Sequence, residues 1–347
     1  MKAIGFYETG GPEVLKEIDL PEPMPSRNEI TVRLGFTSVN NLDILMRSGG
    51  TKMNFSLPHI PGTDVSGIVE RVGEGVTGIQ EGDSVVSSTV YGCGTCRQCL
   101  SGNEVLCKSW KVLGMHVWGS YAEIVKMPSF MAIKPPKRYS KEELGCMPLS
   151  LSVSWRALKT AAKAEEGETA IIFGASGNSG LFSLMLAKAM GLKTIAVTRS
   201  EKKKEALKKA GANHVIKYDS SENGAMQEKV MELTEGEGAE IIIDPIGNPI
   251  SSSIAMLRHS GRIVTFGTSA NSESSLQIKK FYWKSASLIG VHNASAKELS
   301  EAFAFAEKNG IKPIISTKLP MQQAAEAHRL FSSPETFGKI LLEHKWK

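Results

Sequence analysis

A short apolar run, Thr169 to Phe173, passes directly into Gly174-Ala175-Ser176-Gly177-Asn178-Ser179-Gly180, and an apolar helical pattern, Leu181 to Met190, follows at once. Strand, glycine turn and helix in that order constrain the chain more than any other feature. Backbone N–H groups at the start of such a helix point at whatever lies in front of it, and the helix dipole adds attraction for an anion. The arrangement is that of a turn which cradles the pyrophosphate of a dinucleotide, with Ser176, Gly177, Asn178, Ser179 and Gly180 as the contacting residues. Ala175 stands where the G-x-G-x-x-G pattern has its first glycine.

The end of the next strand distinguishes the two nicotinamide dinucleotides. An acidic residue about 20 positions on would hold the free ribose hydroxyls of NAD. Here the strand ends Val197-Thr198-Arg199-Ser200-Glu201-Lys202-Lys203. Hydroxyls, a guanidinium and an ammonium suit a 2′-phosphate, Arg through its two-pronged donor geometry. The expected cofactor is therefore NADPH, held by Thr198, Arg199, Ser200 and Lys203, with the neighbouring lysines on a solvated helix face. Tyr218, after the next strand, faces the adenosine end in this reading. Gly267, Thr268 and His292 lie at strand ends on the side where open α/β sheets bind ligands.

Further apolar, β-branched segments alternate with helical patterns: Ile195-Ala-Val-Thr, His214-Val-Ile-Lys, Glu240-Ile-Ile-Ile-Asp, Arg262-Ile-Val-Thr-Phe and Ser287-Leu-Ile-Gly-Val. That alternation predicts a doubly wound parallel sheet covered by helices. Residues 1–147 differ, with short alternating segments broken by Gly and Pro, and should be mostly β. The division is thus 1–147, a dinucleotide-binding domain at 148–290, and a segment at 291–347 with two helical patterns and a closing strand, Lys339-Ile-Leu-Leu-Glu, which packs back on the first domain. A length of 347 residues accommodates two domains of ordinary size. Forty-one basic against 36 acidic side chains leave +5, spread over amphipathic stretches and not gathered into an arm, which argues against a nucleic-acid partner. No apolar run approaches the roughly 18 residues of a membrane helix, and an alternating strand begins at Met1, so the expectation is a cytoplasmic chain acting on a small molecule.

Four of the five cysteines, Cys93, Cys96, Cys99 and Cys107, follow a C-x2-C-x2-C-x7-C spacing in a polar lobe at about residues 91–110. Four thiolates so close can close a tetrahedral zinc site with no position open to substrate. Disulfides, disfavoured in a reducing compartment, and an iron–sulfur cluster are the competing readings. Cys146 stands apart as a small buried hydrophobe.

Together with Pro61-Gly62-Thr63-Asp64-Val65-Ser66-Gly67, the cysteine lobe and the glycine turn resemble the medium-chain dehydrogenase/reductase superfamily over essentially the whole chain. Gly10-Gly11-Pro12-Glu13-Val14-Leu15, Asn40-x-x-Asp43 with Arg47-Ser48-Gly49, and Gly119-Ser120-Tyr121-Ala122-Glu123 resemble its quinone oxidoreductase branch, while the lobe resembles its zinc alcohol dehydrogenase branch. The resemblance implies an α/β architecture of a GroES-like catalytic domain and a Rossmann domain with a cleft between them, assembled through the Rossmann domains into a homodimer or homotetramer. In the zinc dehydrogenases a catalytic metal is held at positions that correspond to Asn40, Thr63 and Leu149. An amide, a hydroxyl and a hydrocarbon offer neither thiolate, imidazole nor carboxylate, so one structural zinc is expected and no catalytic one.

Without a Lewis acid, conjugated acceptors are the accessible substrates, because hydride added to an enone or quinone leaves charge delocalised onto oxygen. The resemblance places Asn40 and Asp43 beside the nicotinamide as the residues that bond that oxygen. It does not supply the proton donor: Leu45 stands where relatives often carry Tyr, and Val153 where a Thr faces the cofactor, with Ser152 and Ser154 adjacent; water is a sufficient donor. His116 and Trp118 are candidates for the substrate mouth. The expected activity is NADPH-dependent reduction of an enone, quinone or similar carbonyl compound. The alternatives are an alcohol or aldehyde dehydrogenase and a non-enzymatic NADPH-binding protein.

Overall fold

The computed structural model describes residues 1–51, 55–218 and 224–346. The chain divides into two compact units, Met1–Ser152 joined by Asn293–Lys347, and Val153–His292. The sequence pattern put these divisions at 147 and 290. A helix, Pro148–Trp155, straddles the boundary between Ser152 and Val153, so the change in sequence character precedes the change of unit. A π-helical stretch, Arg156–Ala161, continues it.

The first unit is built on a long strand, β1 (Glu29–Ser38), whose buried positions run almost without interruption. Helix α1 (Asn41–Ser48) follows directly. Strands β2 (Ser66–Val72), β3 (Ser84–Ser87), β4 (Ile124–Pro128) and β5 (Ala132–Ile133) complete the early part of the sheet. One apolar core lies on this sheet around Ile30, Val32, Val65, Val85, Leu113 and Val125.

The second unit opens with β6 (Thr169–Ile172) and α2 (Asn178–Ala189). Strands β7 (Lys193–Thr198), β8 (His214–Lys217), β9 (Ala239–Asp244), β10 (Leu257–Thr265) and β11 (Ser287–Gly290) follow. Their spatial order is β8-β7-β6-β9-β10-β11 and every pairing is parallel. The order reverses beside β6, so the glycine turn opens at the point where such sheets bind ligands. The central strands are apolar on both faces because helices cover both. Helix α2 is buried on most of its circumference, which fits its unbroken apolar sequence.

The C-terminal segment contributes α3 (Ala296–Lys308), β12 (Ile315–Pro320), α4 (Ala324–Phe331) and β13 (Lys339–Glu343). Strand β13 pairs antiparallel with the Phe36–Ser38 end of β1 and parallel with β12, giving the order β12-β13-β1-β2-β3-β5 with β4 on the other half of β1. Strand β12 is absent from the sequence reading. Its Ile-Ser-Thr-Lys-Leu-Pro sequence lies on the sheet edge, partly exposed throughout, and carries no apolar run to signal it.

Candidate functional site

The motifs singled out in the catalytic half meet in space. Residues 60–62 run beside 119–121, with Gly119, Ser120 and Tyr121 N–H groups bonded to the carbonyls of Ile60, Gly62 and Pro61 at 2.8, 3.0 and 3.0 Å. A Cβ on Gly119 would lie 2.1 Å from the Gly62 carbonyl oxygen, so only glycine permits this approach. The Gly10 and Arg47 motifs are likewise joined, by Arg47 Nη1 to the Gly10 carbonyl at 2.7 Å and Gly10 N–H to the Arg47 carbonyl at 2.9 Å.

Asn40 and Asp43 form a capping box at the start of α1. The Asp43 carboxylate accepts the Asn40 backbone N–H at 2.8 Å and that of Gly62 at 3.1 Å, which ties the 60–64 loop to the helix. Burial pushes the Asp43 carboxyl up to about 7; the charge of Asp64 reinforces the rise, while the backbone bonds oppose it. The resemblance gave Asp43 a part in catalysis, whereas in the structure both of its oxygens are committed to backbone. Beside it, burial holds the Tyr121 phenol well above its ordinary range, with Asp43 and Asp64 adding to the effect. The Tyr121 hydroxyl and His328 Nε2 lie 3.0 Å apart.

Asn40 is 3% exposed and fully engaged. Its Nδ2 donates to Asp64 Oδ2 at 2.8 Å, Thr63 Oγ1 at 3.0 Å and the Ser38 carbonyl at 3.3 Å. Its Oδ1 accepts from Lys339 Nζ at 2.8 Å. The same ammonium reaches Asp64 Oδ2 and Ser150 Oγ, each at 3.3 Å. Asp64 Oδ1 accepts the Leu149 backbone N–H at 2.8 Å, and Ser38 Oγ donates to Oδ2. The three positions where zinc relatives hold their metal thus converge: Asn40 through its amide and Leu149 through its backbone bond Asp64, and Thr63 bonds Asn40. Their donor set is unsuited to zinc. Sequence reasoning missed Lys339, Asp64, Ser38 and Ser150. Lys339 opens an apolar strand, where a lysine is normally exposed, and nothing local marks it as interior.

Hydroxyls adjacent to Val153 are also spent locally: Ser152 Oγ donates to the Pro148 carbonyl at 2.6 Å, and Ser154 Oγ to the Ser179 carbonyl at 2.9 Å. His116 Nδ1 accepts the Val112 N–H at 3.1 Å, and Trp118 Nε1 donates to the Pro58 carbonyl at 3.0 Å, so each has a structural partner.

In the second unit the glycine turn has the geometry that a dinucleotide requires. Gly177 caps α2 with an extended backbone, so the N–H groups of the first turn, from Asn178 through Gly180, point out in front of the helix. Gly174 adopts a left-handed conformation, and a Cβ on Gly180 would lie 2.1 Å from the Gly174 carbonyl oxygen. That glycine holds helix against strand. Ser176 Oγ and Thr198 Oγ1 are 3.4 Å apart, and Thr198 Oγ1 accepts the Ser200 N–H at 3.2 Å, so the turn and the end of β7 are joined. Arg199 is exposed there, with Ser200 and Lys203 half-buried nearby. Tyr218 N–H bonds the Thr198 carbonyl at 2.8 Å and brings that residue to the same edge. Gly267 packs on the Pro245 carbonyl, where a Cβ would come to 1.9 Å, and His292 closes the unit just after β11.

The sulfur atoms of Cys93, Cys96, Cys99 and Cys107 all lie within 4.8 Å of one another. Backbone N–H groups of Cys93 and Ser109 point at Cys107 Sγ, both at 3.3 Å, and that of Cys96 at Cys93 Sγ at 3.4 Å. The Thr95 bonds lead in drawing Cys93 down to about 6, whereas burial and neighbouring thiols push Cys99 up to about 12. Four thiolates held this close would need a cation among them, and four sulfurs are the donor set of a tetrahedral zinc. A Cβ on Gly92 would lie 2.5 Å from Cys99 Sγ, so glycine there lets the backbone close on the cluster. Cys146 is fully buried and its thiol is pushed up to about 12 by burial.

Two family profiles match the chain: "Alcohol dehydrogenase GroES-like domain" over residues 26–137 and "Zinc-binding dehydrogenase" over residues 180–308. A quinone oxidoreductase from Mus musculus is 30% identical, the match covering 99% of this chain and 97% of the relative. An acryloyl-coenzyme A reductase from Sulfurisphaera tokodaii is 28% identical over 99% of this chain and 100% of its own length. Among solved structures, an NAD-dependent alcohol dehydrogenase superposes with a TM-score of 0.92 at 33% identity, covering 99% of this chain and 100% of the other.

Proposed function

Because the chain belongs to the medium-chain dehydrogenase/reductase superfamily and is an oxidoreductase of that type, we propose that it reduces an enone, a quinone or a similarly activated carbonyl compound with NADPH, without a catalytic zinc. One zinc on the four-cysteine lobe is structural in this reading. NADPH, when bound, supplies the hydride. The glycine turn 174–180 holds its pyrophosphate on backbone N–H groups, and Arg199 with Thr198, Ser200 and Lys203 takes the 2′-phosphate. Tyr218, Gly267 and His292 complete the cofactor contacts.

One observation carries the substrate assignment. Asn40, Thr63 and Leu149 surround the carboxylate of Asp64, whose charge is met by the Lys339 ammonium instead of a dication. Fixed hydrogen-bond donors of this strength suit an acceptor whose own conjugation spreads the negative charge left by hydride addition. Asn40 is the residue assigned to that oxygen, exchanging its longest Nδ2 contact, 3.3 Å to the Ser38 carbonyl, for the acceptor; Asp43 holds the helix and loop that position it, and water delivers the proton. The acceptors in two relatives' names, a quinone and acryloyl-coenzyme A, both conjugate a carbonyl to a carbon–carbon double bond.

A second reading, an alcohol or aldehyde dehydrogenase, is favoured by the superposition on an NAD-dependent alcohol dehydrogenase. A panel of enones, quinones, aldehydes and alcohols, each with NADPH/NADP⁺ and NADH/NAD⁺, separates the two. Reduction of the conjugated members with NADPH is the expected outcome. Turnover confined to alcohols and NAD⁺ replaces this reading with the second, and tight NADPH binding without turnover marks a non-enzymatic binder.

A further inference from the structure

Lys339 is 1% exposed, and burying an ammonium is costly even when it is paired. The chain takes a particular path to put it there. Gly338 has a φ of +95°, and a Cβ on it would lie 2.3 Å from the Ile314 carbonyl oxygen, so only glycine lets the chain turn in tightly at the head of β13. The Lys339 N–H then bonds that same carbonyl at 2.8 Å, and its side chain ends among Asn40, Asp64 and Ser150. A buried ion pair is weak evidence for stability, and fixing one arrangement among several is the better-attested use of such groups.

Here the arrangement at stake is the Asn40 amide. Its oxygen and nitrogen ends are nearly the same shape; the Asp64 carboxylate and the Ser38 carbonyl can only accept and so hold the Nδ2 end, while the Thr63 hydroxyl could face either end. An ammonium can only donate. Lying 2.8 Å from one end of the amide, it forces the oxygen to face it and the two N–H bonds to face Thr63, Asp64 and Ser38. It also compensates Asp64, which would otherwise be a buried carboxylate without a cation.

We propose that Lys339 is a positioning residue that acts through Asn40: its ammonium at the oxygen end, opposite the Asp64 carboxylate at the nitrogen end, fixes the polarity of the Asn40 amide, so that the N–H now on the Ser38 carbonyl is already oriented when an acceptor replaces that contact. This rests on the part given to Asn40 under the proposed function. Lys339 touches no reacting atom in this account.

A double-mutant cycle tests it. Asn40→Ala, Lys339→Met and the pair are compared in single-turnover reduction of a conjugated acceptor by NADPH, with NADPH affinity measured by fluorescence. Each single change should slow the hydride step about tenfold, the equivalent of one charge-assisted hydrogen bond, with NADPH affinity unchanged. The double variant should be no slower than Asn40→Ala alone. Independent, multiplying losses overturn the proposal. Lys339→Gln keeps an N–H for Asn40 Oδ1 but not the charge; it should recover part of the rate, whereas a role limited to pairing with Asp64 makes Gln no better than Met. It also serves as the partner in the cycle if Lys339→Met does not fold. Hydrogen exchange at the Asn40 side-chain amide, followed by NMR, needs no turnover: protection should be strong in wild type and lost in Lys339→Met, and unchanged protection overturns the proposal. If wild type reduces no acceptor, the functional reading falls while the exchange measurement still decides the part of Lys339.

Discussion

Arg199 and Asp43 show how far a side chain's type reveals its work. Arg199 is assigned to the 2′-phosphate because an acidic residue at the end of the second strand would mean the opposite cofactor, and it is exposed beside Thr198 and Ser200. Arg199→Ala should weaken NADPH at least tenfold, the scale of one lost bidentate phosphate contact, and NADH hardly at all. Equal losses for the two cofactors, measured by fluorescence titration, would remove it from the 2′-phosphate site. Asp43, a catalytic candidate by resemblance, caps α1 and anchors Gly62 through its carboxylate. Its folded-state carboxyl titrates near 7, above the ordinary value of 3.8. Between those values the folded chain holds a proton that the unfolded chain has released, so this group's contribution to stability is complete below about pH 4 and is lost as pH rises through about 7. Urea unfolding of wild type and Asp43→Asn across pH 4–8 should show wild type losing stability relative to the variant as pH rises, by on the order of a few kcal/mol. A constant difference would contradict it. Lys339 was not legible at all, because its partners Asn40, Asp64 and Ser150 are distant in sequence and only the fold assembles them.

At the scale of elements, the sequence spoke clearly wherever local chemistry and tertiary role agreed. The parallel strands are short β-branched runs, and the glycine turn is required both by the left-handed Gly174 and by the contact of Gly180 with its carbonyl. The edge strand Ile315–Pro320 escaped notice because its alternation is shallow and its stability comes from pairing with Lys339–Glu343. The cysteine lobe is the other strongly local element. Cys96→Ser removes one of four sulfurs that lie within 4.8 Å of one another. The variant should lose bound metal and unfold at lower temperature by several degrees, since metal-binding free energy is folding free energy in such lobes. Its folded fraction should retain activity. A variant as stable as wild type but inactive would show the lobe to be part of the chemistry.

For the molecule as a whole, the division into two units and the six-stranded parallel sheet followed from patterns spread along the chain, whereas assembly depends on surfaces that no local pattern marks. Strand β11 is the edge of its sheet and exposes Leu288, and just before it Trp283 is 63% exposed with Tyr282 stacked on it at 5.7 Å. An unpaired edge with large apolar groups invites a second copy of the chain. Sedimentation should therefore give a dimer or a multiple of it, and Leu288→Lys should shift it toward monomer; a monomeric wild type would refute assembly through this edge. The Lys339 ammonium is paired with Asp64 at 3.3 Å, and the proposed chemistry depends on that group working without a dication. The most direct test is NADPH-driven reduction of an enone or quinone during mild chelation, with bound zinc counted in the same samples. The account predicts one tightly held zinc per chain and a rate that chelation does not change; a second, labile zinc whose loss abolishes turnover in proportion would contradict it.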